Sequence, residues 1–467
     1  MIAMSAAHIA AVTAGTVHGN ADTIVSGTVH TDSRLVTPGD VFVALPGEVT
    51  DGHRFIDAAI AAGAALVIAE RESTLSVPLV VVANGVIALS DLAREVVARV
   101  RALGTLRVVA VTGSNGKTTT KNMLRAVLER HGETVAPRGS FNNEVGAPIS
   151  MLGVTETTAF LVVEMGADGV GDISKLVSVV MPDVAIVLTV GLAHIGKFGS
   201  IEQTAIAKGE LVIDLPPTAT AVLNRDDPRV SAMPTSAGVT WFGLGDGRTP
   251  DESTLLADDV RLTLDGTEFD VLHGDRRYPV RLRILGEHHA LNAVATLAAA
   301  LALGIDLPAA IAALEAMDRA ERWRMELLAA PGGVTIINDA YNASPDSTAA
   351  ALRSLASLTR GRARAIAVLG EMAELGELSG EEHDRIGLQV VRLNIDQLVV
   401  VGAGARRLHL AATAEGSWDG ESVFASDLEA AYDVIRDLLQ PGDVVLVKSS
   451  NSAGLRLLGD RLAGVTA

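Results

Sequence analysis

The segment LRVVAVTGSNGKTTTKNMLRAVLERHG, residues 106–132, contains the strongest structural signal in the chain. It begins with an apolar run that predicts a buried strand, and it ends with a pattern that predicts a long helix. Between the two lie Gly113 and Gly116, which allow backbone N–H groups to approach a phosphate closely. A strand, a glycine-containing loop and a helix in this order are typical of a phosphate-binding loop in a parallel α/β sheet.

The residues of this loop supply the groups that a nucleoside triphosphate needs. Lys117 provides a positive charge for the β- and γ-phosphate oxygens, and the Thr118 hydroxyl can bind Mg²⁺. The general pattern has a further glycine where this chain has Val111. A plain glycine turn is the alternative, but the flanking strand and helix and the GKTTT run favour a phosphate loop. We therefore predict that ATP binds at Gly113, Ser114, Asn115, Gly116, Lys117, Thr118 and Thr119.

The composition is that of a globular chain and excludes several kinds of chemistry. Of 467 residues, 48% are hydrophobic and 20% are charged, which favours a folded protein over a disordered one. The absence of cysteine excludes disulfides, thiolate zinc sites, iron–sulfur clusters and cysteine catalysis. The net charge of −18 argues against a nucleic-acid partner, although one local basic loop suffices for a small anionic ligand.

Two further features bear on cellular location. The most apolar stretch, 288–305, contains two histidines, an asparagine and a threonine, so that a buried helix is a better interpretation than a membrane span. The N-terminus lacks the positively charged region of a signal peptide. We therefore expect a cytoplasmic protein without a membrane span.

The length predicts about three domains, and the patterns along the chain divide it at two places. Residues 1–104 mix short strands with helices, and 105–319 alternate strands and helices as a parallel sheet does. Alternating polar and apolar residues at 241–286 predict an antiparallel β insertion in that second domain. Residues 320–467 predict a doubly wound, Rossmann-like α/β domain. Strand-like runs in the second and third domains lie at 160–166, 183–191, 219–227, 333–342, 363–372, 396–404 and 443–450.

An acidic residue ends one of these runs. Glu164 closes the apolar sequence LVVE and therefore lies at the carboxyl edge of the predicted parallel sheet. Ligands of open α/β sheets bind at this edge, and a carboxylate there can hold Mg²⁺. A surface glutamate at a strand end is the alternative interpretation.

Several motifs resemble one enzyme family, the Mur ligases, which form amide bonds with ATP in peptidoglycan precursor synthesis. The loop TGSNGKTTTK, 112–121, is similar to the nucleotide loop of that family, and 30–34 with 51–64 resemble its uridine-nucleotide domain. The segments AHIGKFGS at 193–200 and DAYNASPDS at 339–347 resemble the member of the family that adds a dipeptide.

The resemblance implies an activity, cofactors and partners. The chain would join D-alanyl-D-alanine to UDP-N-acetylmuramoyl-tripeptide, giving the pentapeptide, ADP and phosphate. ATP and Mg²⁺ would be the cofactors, an acyl phosphate the intermediate, and the protein would act as a monomer. The first domain would bind the UDP substrate and the second would bind ATP. The third would close over ATP about a joint near Ala320.

The resemblance also implies roles for single residues. Lys208, which the sequence alone places on a helix surface, matches a lysine that CO₂ carbamylates to give a metal-binding anion. Together with Thr118, Glu164 and His194, it would hold Mg²⁺, and Lys117 would complete the catalytic set. The implied substrate contacts are Ser33, Arg34, Asn142 and Asn143. The further implied ATP contacts are His288, Asn292, Arg324, Asp339 and Asn342.

This chain departs from the family pattern beside three of these contacts. His289 stands where the family usually has asparagine, Trp323 stands where it has glycine, and Thr189 stands where asparagine is common.

Three other classes of protein are weighed against this interpretation. A Mur ligase that adds a diamino acid would carry Asn-Pro-Arg in the third domain, and this chain does not. A folylpolyglutamate-type ligase would lack the uridine-nucleotide domain. A non-catalytic phosphate-loop protein is disfavoured because Lys117, Thr118, Glu164 and Lys208 are all present.

Overall fold

The computed structural model describes residues 1–47, 50–137, 139–247, 249–319 and 321–465. The structure confirms the predicted α/β fold class. Three parts follow one another along the chain, and each contains a sheet with parallel strands and helices that accompany it. The domain boundaries after 104 and 319 stay predictions, and Ala320 itself lies outside the described residues.

The N-terminal part forms a small mixed sheet with helices. Its strands are β1 (Met4–Ser5), β2 (Thr16–His18), β3 (Ile24–Val25), β4 (Val29–His30), β5 (Val41–Ala44), β6 (Leu66–Ala69) and β7 (Leu79–Val81), and its helices are α1 (Ala6–Val12), α2 (Ile56–Ala62) and α3 (Gly85–Ala102). The sheet order is β2-β7-β6-β5-β4, and β1 pairs with β3 beside it. All residues of β5 and β6 are buried, as their apolar sequences require.

The central part contains the largest sheet. Its strands are β8 (Arg107–Thr112), β9 (Thr134–Val135), β10 (Phe160–Glu164), β11 (Val184–Val187), β12 (Thr220–Asn224), β13 (Gly238–Leu244), β14 (Thr254–Thr263), β15 (Gly266–His273) and β16 (Arg276–Leu282). Its helices are α4 (Lys117–Leu128), α5 (Gly146–Met151), α6 (Asp172–Val179), α7 (Ile195–Phe198), α8 (Ile201–Gly209), α9 (Pro228–Ser231), α10 (Glu287–Ala302) and α11 (Leu307–Glu315). The sheet order is β16-β15-β14-β13-β12-β11-β8-β10-β9, so β8 lies inside the sheet and its carboxyl end meets those of β10 and β11.

The predicted antiparallel insertion at 241–286 is only partly correct. β13 pairs in parallel with β12, and β14 pairs in parallel with β13. Antiparallel pairing begins with β15 and continues to β16. Alternation of polar and apolar residues indicates a half-exposed face but not the direction of the neighbouring strand. The prediction was therefore wrong about the pairing of β13 with β12 and of β14 with β13, and correct for β14 with β15 and β15 with β16.

The apolar stretch at 288–305 forms the buried helix that its sequence predicts. Helix α10 packs against α4 and against several strands of the central sheet, and most of its residues are buried. No helix within the described ranges combines the length and apolar character that a bilayer span requires.

The C-terminal part is the predicted doubly wound sheet. Its strands are β17 (Glu326–Ala330), β18 (Val334–Asn338), β19 (Ala365–Leu369), β20 (Gln397–Val401), β21 (Glu421–Ala425) and β22 (Val444–Lys448), and its helices are α12 (Pro345–Thr359), α13 (Ser379–Arg392), α14 (Arg406–Thr413), α15 (Leu428–Leu438) and α16 (Leu455–Leu462). The sheet order is β17-β18-β22-β19-β20-β21, in which only β17 is antiparallel among the described strands. The four predicted strands are present, whereas the edge strands β17 and β21, less apolar than the interior strands, were missed.

Candidate active site

The loop that is predicted to bind phosphate connects β8 to α4. Gly116 precedes the helix with a φ of +86°, a conformation that favours glycine. A Cβ at this position would lie 2.5 Å from Asn292 Oδ1. The glycine therefore allows α10 to bring Asn292, a predicted ATP contact, directly against the loop.

Lys117 is the first residue of α4 and folds back over the loop. Its Nζ donates a hydrogen bond of 2.7 Å to the Gly113 carbonyl. Burial lowers the pKa of its ammonium group, and the nearby Glu164 carboxylate partly offsets this effect. A phosphate bound at the loop would give this partly buried cation a partner of opposite charge in direct contact.

Glu164 ends β10 and is 1% exposed. One of its oxygens, Oε1, accepts hydrogen bonds of 2.8 Å from Asn142 Nδ2 and 3.3 Å from Thr118 Oγ1. The other oxygen, Oε2, is buried and has no hydrogen-bond partner among the described residues. A buried carboxylate oxygen beside a threonine hydroxyl is the kind of oxygen set that Mg²⁺ binds.

Lys208 lies on α8 and is only 2% exposed, so its predicted position on a helix surface was wrong. Burial lowers the pKa of its amine to about 7, and the charge of Lys117 lowers it further. The local sequence AIAKGEL does not show this burial, because it depends on packing against residues such as Phe198, whose ring centre is 5.4 Å from Nζ. An amine with this pKa is partly neutral at neutral pH, which is the reactive form toward CO₂.

His194 follows β11 and precedes the short helix α7, with a φ of +61°. Burial lowers the pKa of its imidazole, and the charge of Lys117 acts in the same direction. Its Nδ1 contacts the Glu374 carboxylate, which belongs to the C-terminal part. The imidazole lines the same cavity as Lys117 and Glu164.

Two residues of the C-terminal part also reach the phosphate loop. Arg324 Nη2 lies 3.4 Å from Thr118 Oγ1, and its guanidinium lies over the Tyr341 ring at 4.5 Å. Ser344 Oγ donates a hydrogen bond of 3.1 Å to Asn115 Oδ1. The two domains therefore meet directly at the loop.

Asp339 and Asn342 are organised by a residue whose role the sequence left open. Lys448 ends β22 and is 2% exposed. Its Nζ donates hydrogen bonds of 2.6 Å to Asp339 Oδ2 and 3.0 Å to the Asn342 carbonyl. Its place at the end of an apolar strand in a parallel sheet is the signal that could have identified it.

Asp346 is a second residue that sequence reasoning did not single out. It lies in the first turn of α12, and its Oδ2 accepts a hydrogen bond of 3.0 Å from the Leu192 N–H of the central part. Its position in the DAYNASPDS segment was visible, but its contact across the domains was not.

Most of these groups surround one cavity of about 810 Å³ between the central and C-terminal parts. The predicted site residues that line it are Ser114, Asn115, Gly116, Lys117, Thr118, Thr119, Asn142, Glu164, His194, His288, Asn292, Arg324, Asp339 and Asn342. Those outside its lining are Ser33, Arg34, Gly113, Asn143 and Lys208.

The cavity wall holds polar atoms that the protein itself does not satisfy. Burial lowers the pKa of His288 to about 4 and that of His289 well below its usual value, so both rings are neutral. His289 Nδ1 lies 3.3 Å from Asn292 Nδ2. The buried atoms without a hydrogen-bond partner in the described structure include His288 Nδ1, His289 Nε2, Thr189 Oγ1, Glu164 Oε2 and Arg324 Nε. Because unpartnered buried polar atoms are costly, their concentration around one cavity indicates a polar ligand.

The remaining predicted substrate contacts lie elsewhere. Ser33 and Arg34 occupy a 3₁₀ turn of the N-terminal part, where the Arg34 side chain is 87% exposed. Arg34 Nη2 lies 2.6 Å from Asp32 Oδ2, and this pairing lowers the pKa of Asp32 to about 2. Asn143 caps a local turn, with its Oδ1 accepting a hydrogen bond of 2.8 Å from the Gly146 N–H.

Family models for three consecutive regions match this chain. They are the Mur ligase family catalytic domain over residues 27–107, the Mur ligase middle domain over 111–300, and the Mur ligase glutamate ligase domain over 323–451. Together they span most of the sequence and all of the cavity described above.

Relatives and solved structures agree with these matches over nearly the whole chain. The UDP-N-acetylmuramoyl-tripeptide–D-alanyl-D-alanine ligase of Mycobacterium bovis is 41% identical, covering 99% of this chain and 98% of its own, and that of Escherichia coli is 33% identical, covering 91% of each. MurF from Acinetobacter baumannii superposes with a TM-score of 0.88 at 30% identity and 99% coverage of both chains. MurF ligase from Thermotoga maritima in complex with ADP gives a TM-score of 0.81 at 30% identity, covering 94% of this chain and 97% of its own. These similarities, together with a cavity built on the phosphate loop, show that the chain belongs to the Mur ligase family.

Proposed function

We propose that this protein joins D-alanyl-D-alanine to UDP-N-acetylmuramoyl-tripeptide with the energy of ATP, releasing ADP and phosphate in peptidoglycan precursor synthesis. The observation that carries the proposal is the cavity in which the phosphate loop, the buried Glu164 and the C-terminal Arg324 meet. Relatives that share this activity by name match the chain from end to end.

ATP occupies this cavity, with its phosphates on the loop and its base toward α10. Lys117 and Arg324 bring positive charge to the phosphate end. His288, His289 and Asn292 offer neutral polar atoms at the α10 side, which suit a base or ribose better than a phosphate.

Mg²⁺ is bound by Thr118, Glu164, His194 and carbamylated Lys208. The unpartnered Oε2 of Glu164 and the lowered pKa of Lys208 support this assignment. When bound, the metal neutralises the repulsion between the substrate carboxylate and the triphosphate. Lys117 and Arg324, which line the same cavity, would hold both anions beside the metal.

The UDP substrate binds across the N-terminal and central domains, with Ser33 and Arg34 at its nucleotide and Asn142 and Asn143 near its reacting end. Asn142 supports this because it is hydrogen-bonded to Glu164 inside the cavity. Asp339 and Asn342 line the opposite, C-terminal side of the cavity, and there they contact ATP or the incoming dipeptide.

The reaction proceeds through an acyl phosphate on the substrate. The tripeptide carboxylate attacks the γ-phosphorus and ADP leaves. The dipeptide amine then attacks the acyl carbon, and phosphate leaves with its carbon–oxygen bond broken. Closing of the C-terminal domain over the cavity would exclude water from the acyl phosphate. The protein acts as a monomer in the cytoplasm, in three domains at 1–104, 105–319 and 320–467.

Phosphate release tests this proposal. With ATP and Mg²⁺, the purified protein should release phosphate only when UDP-N-acetylmuramoyl-tripeptide and D-alanyl-D-alanine are both present. Omission of either substrate is the control. Release with a single free amino acid in place of the dipeptide would identify another amide ligase of the Mur or folylpolyglutamate type and contradict the proposal.

A further inference from the structure

One contact between the central and C-terminal parts lies directly beside the proposed metal site. The Glu374 carboxylate contacts His194 Nδ1 and lies 3.2 Å from Lys197 Nζ. The Glu374 carbonyl accepts a hydrogen bond of 3.0 Å from the Gly196 N–H. A Cβ on Gly196 would lie 2.8 Å from the backbone of Glu374 and of Gly376, so this close approach requires glycine.

Glu374 is held in place by the fold of the C-terminal part. It lies in the loop between β19 and α13 and has a φ of +62°, which is uncommon for a residue with a side chain. Its neighbours Met372 and Leu375 are buried in an apolar cluster made mostly of C-terminal residues, which Ile195 of the central part joins. Packing on both sides of the domain contact therefore holds the backbone conformation that directs Glu374 toward the central domain.

We propose that Glu374 is a positioning residue that orients the His194 imidazole for the metal. With the metal bound, the carboxylate would accept the Nδ1–H, which leaves the Nε2 lone pair free for the metal. The inference rests on the proposed function, in which His194 is a metal ligand. Because Glu374 and His194 belong to different domains, the imidazole acquires this partner only when the domains are together. Domain closure then completes the metal site, which the central domain alone leaves unfinished.

Substitution of Lys197 distinguishes this positioning role of Glu374 from that of a simple ion pair between the domains. Its ammonium lies 3.2 Å from Glu374 and 2.9 Å from Asp168, and its side chain is 44% exposed. Exposed ion pairs contribute little. Lys197→Met removes the ion pair and keeps the contact of Glu374 with His194, whereas Glu374→Ala removes both. Lys197→Met is therefore the matched control.

Binding of Mn²⁺ in the presence of a non-hydrolysable ATP analogue, followed by electron paramagnetic resonance, tests the inference together with steady-state kinetics. Glu374→Ala should weaken Mn²⁺ binding and lower kcat about 10- to 100-fold, with the KM for ATP unchanged. Glu374→Gln should lose less Mn²⁺ affinity and less of its kcat than Glu374→Ala, because its amide oxygen can still accept the Nδ1–H. Lys197→Met should stay within about twofold of the wild type. In a His194→Ala background, Glu374→Ala should add no further loss.

Equal losses in Lys197→Met and Glu374→Ala, or additive losses in the double variant, would overturn the inference. Should Glu374→Ala fail to fold in a thermal-unfolding control, Glu374→Met, which also lacks a hydrogen-bond acceptor, decides, and unchanged Mn²⁺ binding and kcat in that variant would overturn it. The proposed function fails separately, if the wild-type protein releases no phosphate with both substrates. Wild-type activity with unaltered Mn²⁺ binding in the Glu374 variants overturns this inference alone.

Discussion

The cavity at the phosphate loop and the turn at Ser33–Arg34 are both proposed to bind phosphate groups, but they are built differently. In the cavity, Lys117 is partly buried and Arg324 reaches the loop from another domain, and neither forms a salt bridge within the described residues. At the turn, Arg34 is exposed and already paired with Asp32. A partly buried cation that has no carboxylate in direct contact favours a strongly charged ligand. An exposed arginine must first break its ion pair with a carboxylate, and this lowers the net binding free energy that its ligand contributes.

The largest effect should come from the partly buried Lys117. Lys117→Met removes the charge that faces the phosphates, and we expect kcat/KM for ATP to fall about 10³-fold. Steady-state phosphate release measures the change. Lys175→Met removes an exposed lysine of the same domain and should stay within about twofold. A loss of less than tenfold in Lys117→Met would show that ATP use in the cavity does not depend on the Lys117 charge.

The next effect concerns the anion that Lys208 is proposed to become. Lys208→Ala should lower kcat about 10²-fold or more, since one metal-binding group is lost. Short-chain carboxylic acids such as acetate should restore part of the activity, because their carboxylate replaces that of the carbamate. Lys117→Ala is the control and should not respond to these acids. Full activity in Lys208→Ala, or equal stimulation of both variants, would contradict the assignment.

A smaller effect is expected at the exposed turn. Arg34→Met should raise the KM for the UDP substrate about tenfold and leave kcat unchanged, because a charge-assisted contact to the diphosphate is lost in a solvated site. Arg99→Met, which removes an exposed arginine from α3 in the same domain, is the matched control. A fall in kcat in Arg34→Met would place this residue nearer to the reacting atoms than the structure does.

The smallest effect concerns pH. Pairing with Arg34 lowers the pKa of Asp32 to about 2, so Asp32 stays anionic above that value. The ratio of the UDP-substrate Kd in Arg34→Met to that in the wild type should therefore stay constant from about pH 5 to pH 8. Calorimetry at several pH values measures both constants. A ratio that changes about threefold or more within this range would mean that Asp32 does not set the charge at the turn.

The parts of the site that were predictable are those in which a local pattern carries the chemistry. The loop around Gly116, the strand end at Glu164 and the buried helix α10 follow from apolar periodicity, glycine position and the carboxyl edge of a parallel sheet. Arg324 and Asp339 came from the resemblance alone, yet the structure brings both to the same cavity.

The parts that were not predictable depend on contacts between distant segments. Lys208 is buried by side chains from other elements, so its own helix sequence gives no sign of it. Lys448 acts through Asp339, more than a hundred residues earlier in the chain, and Glu374 meets His194 across two domains. The parallel direction of β13 and β14 likewise depends on their partners rather than on their alternating residues.

The central claim is that the γ-phosphoryl group of ATP activates the substrate carboxylate inside the cavity between the central and C-terminal domains. The most direct test uses UDP-N-acetylmuramoyl-tripeptide with ¹⁸O in its terminal carboxylate. Mass spectrometry of the products should find one ¹⁸O atom in the released phosphate for each amide bond formed. Unlabelled phosphate, or label in a released nucleotide, would contradict the acyl phosphate and with it the proposed reaction.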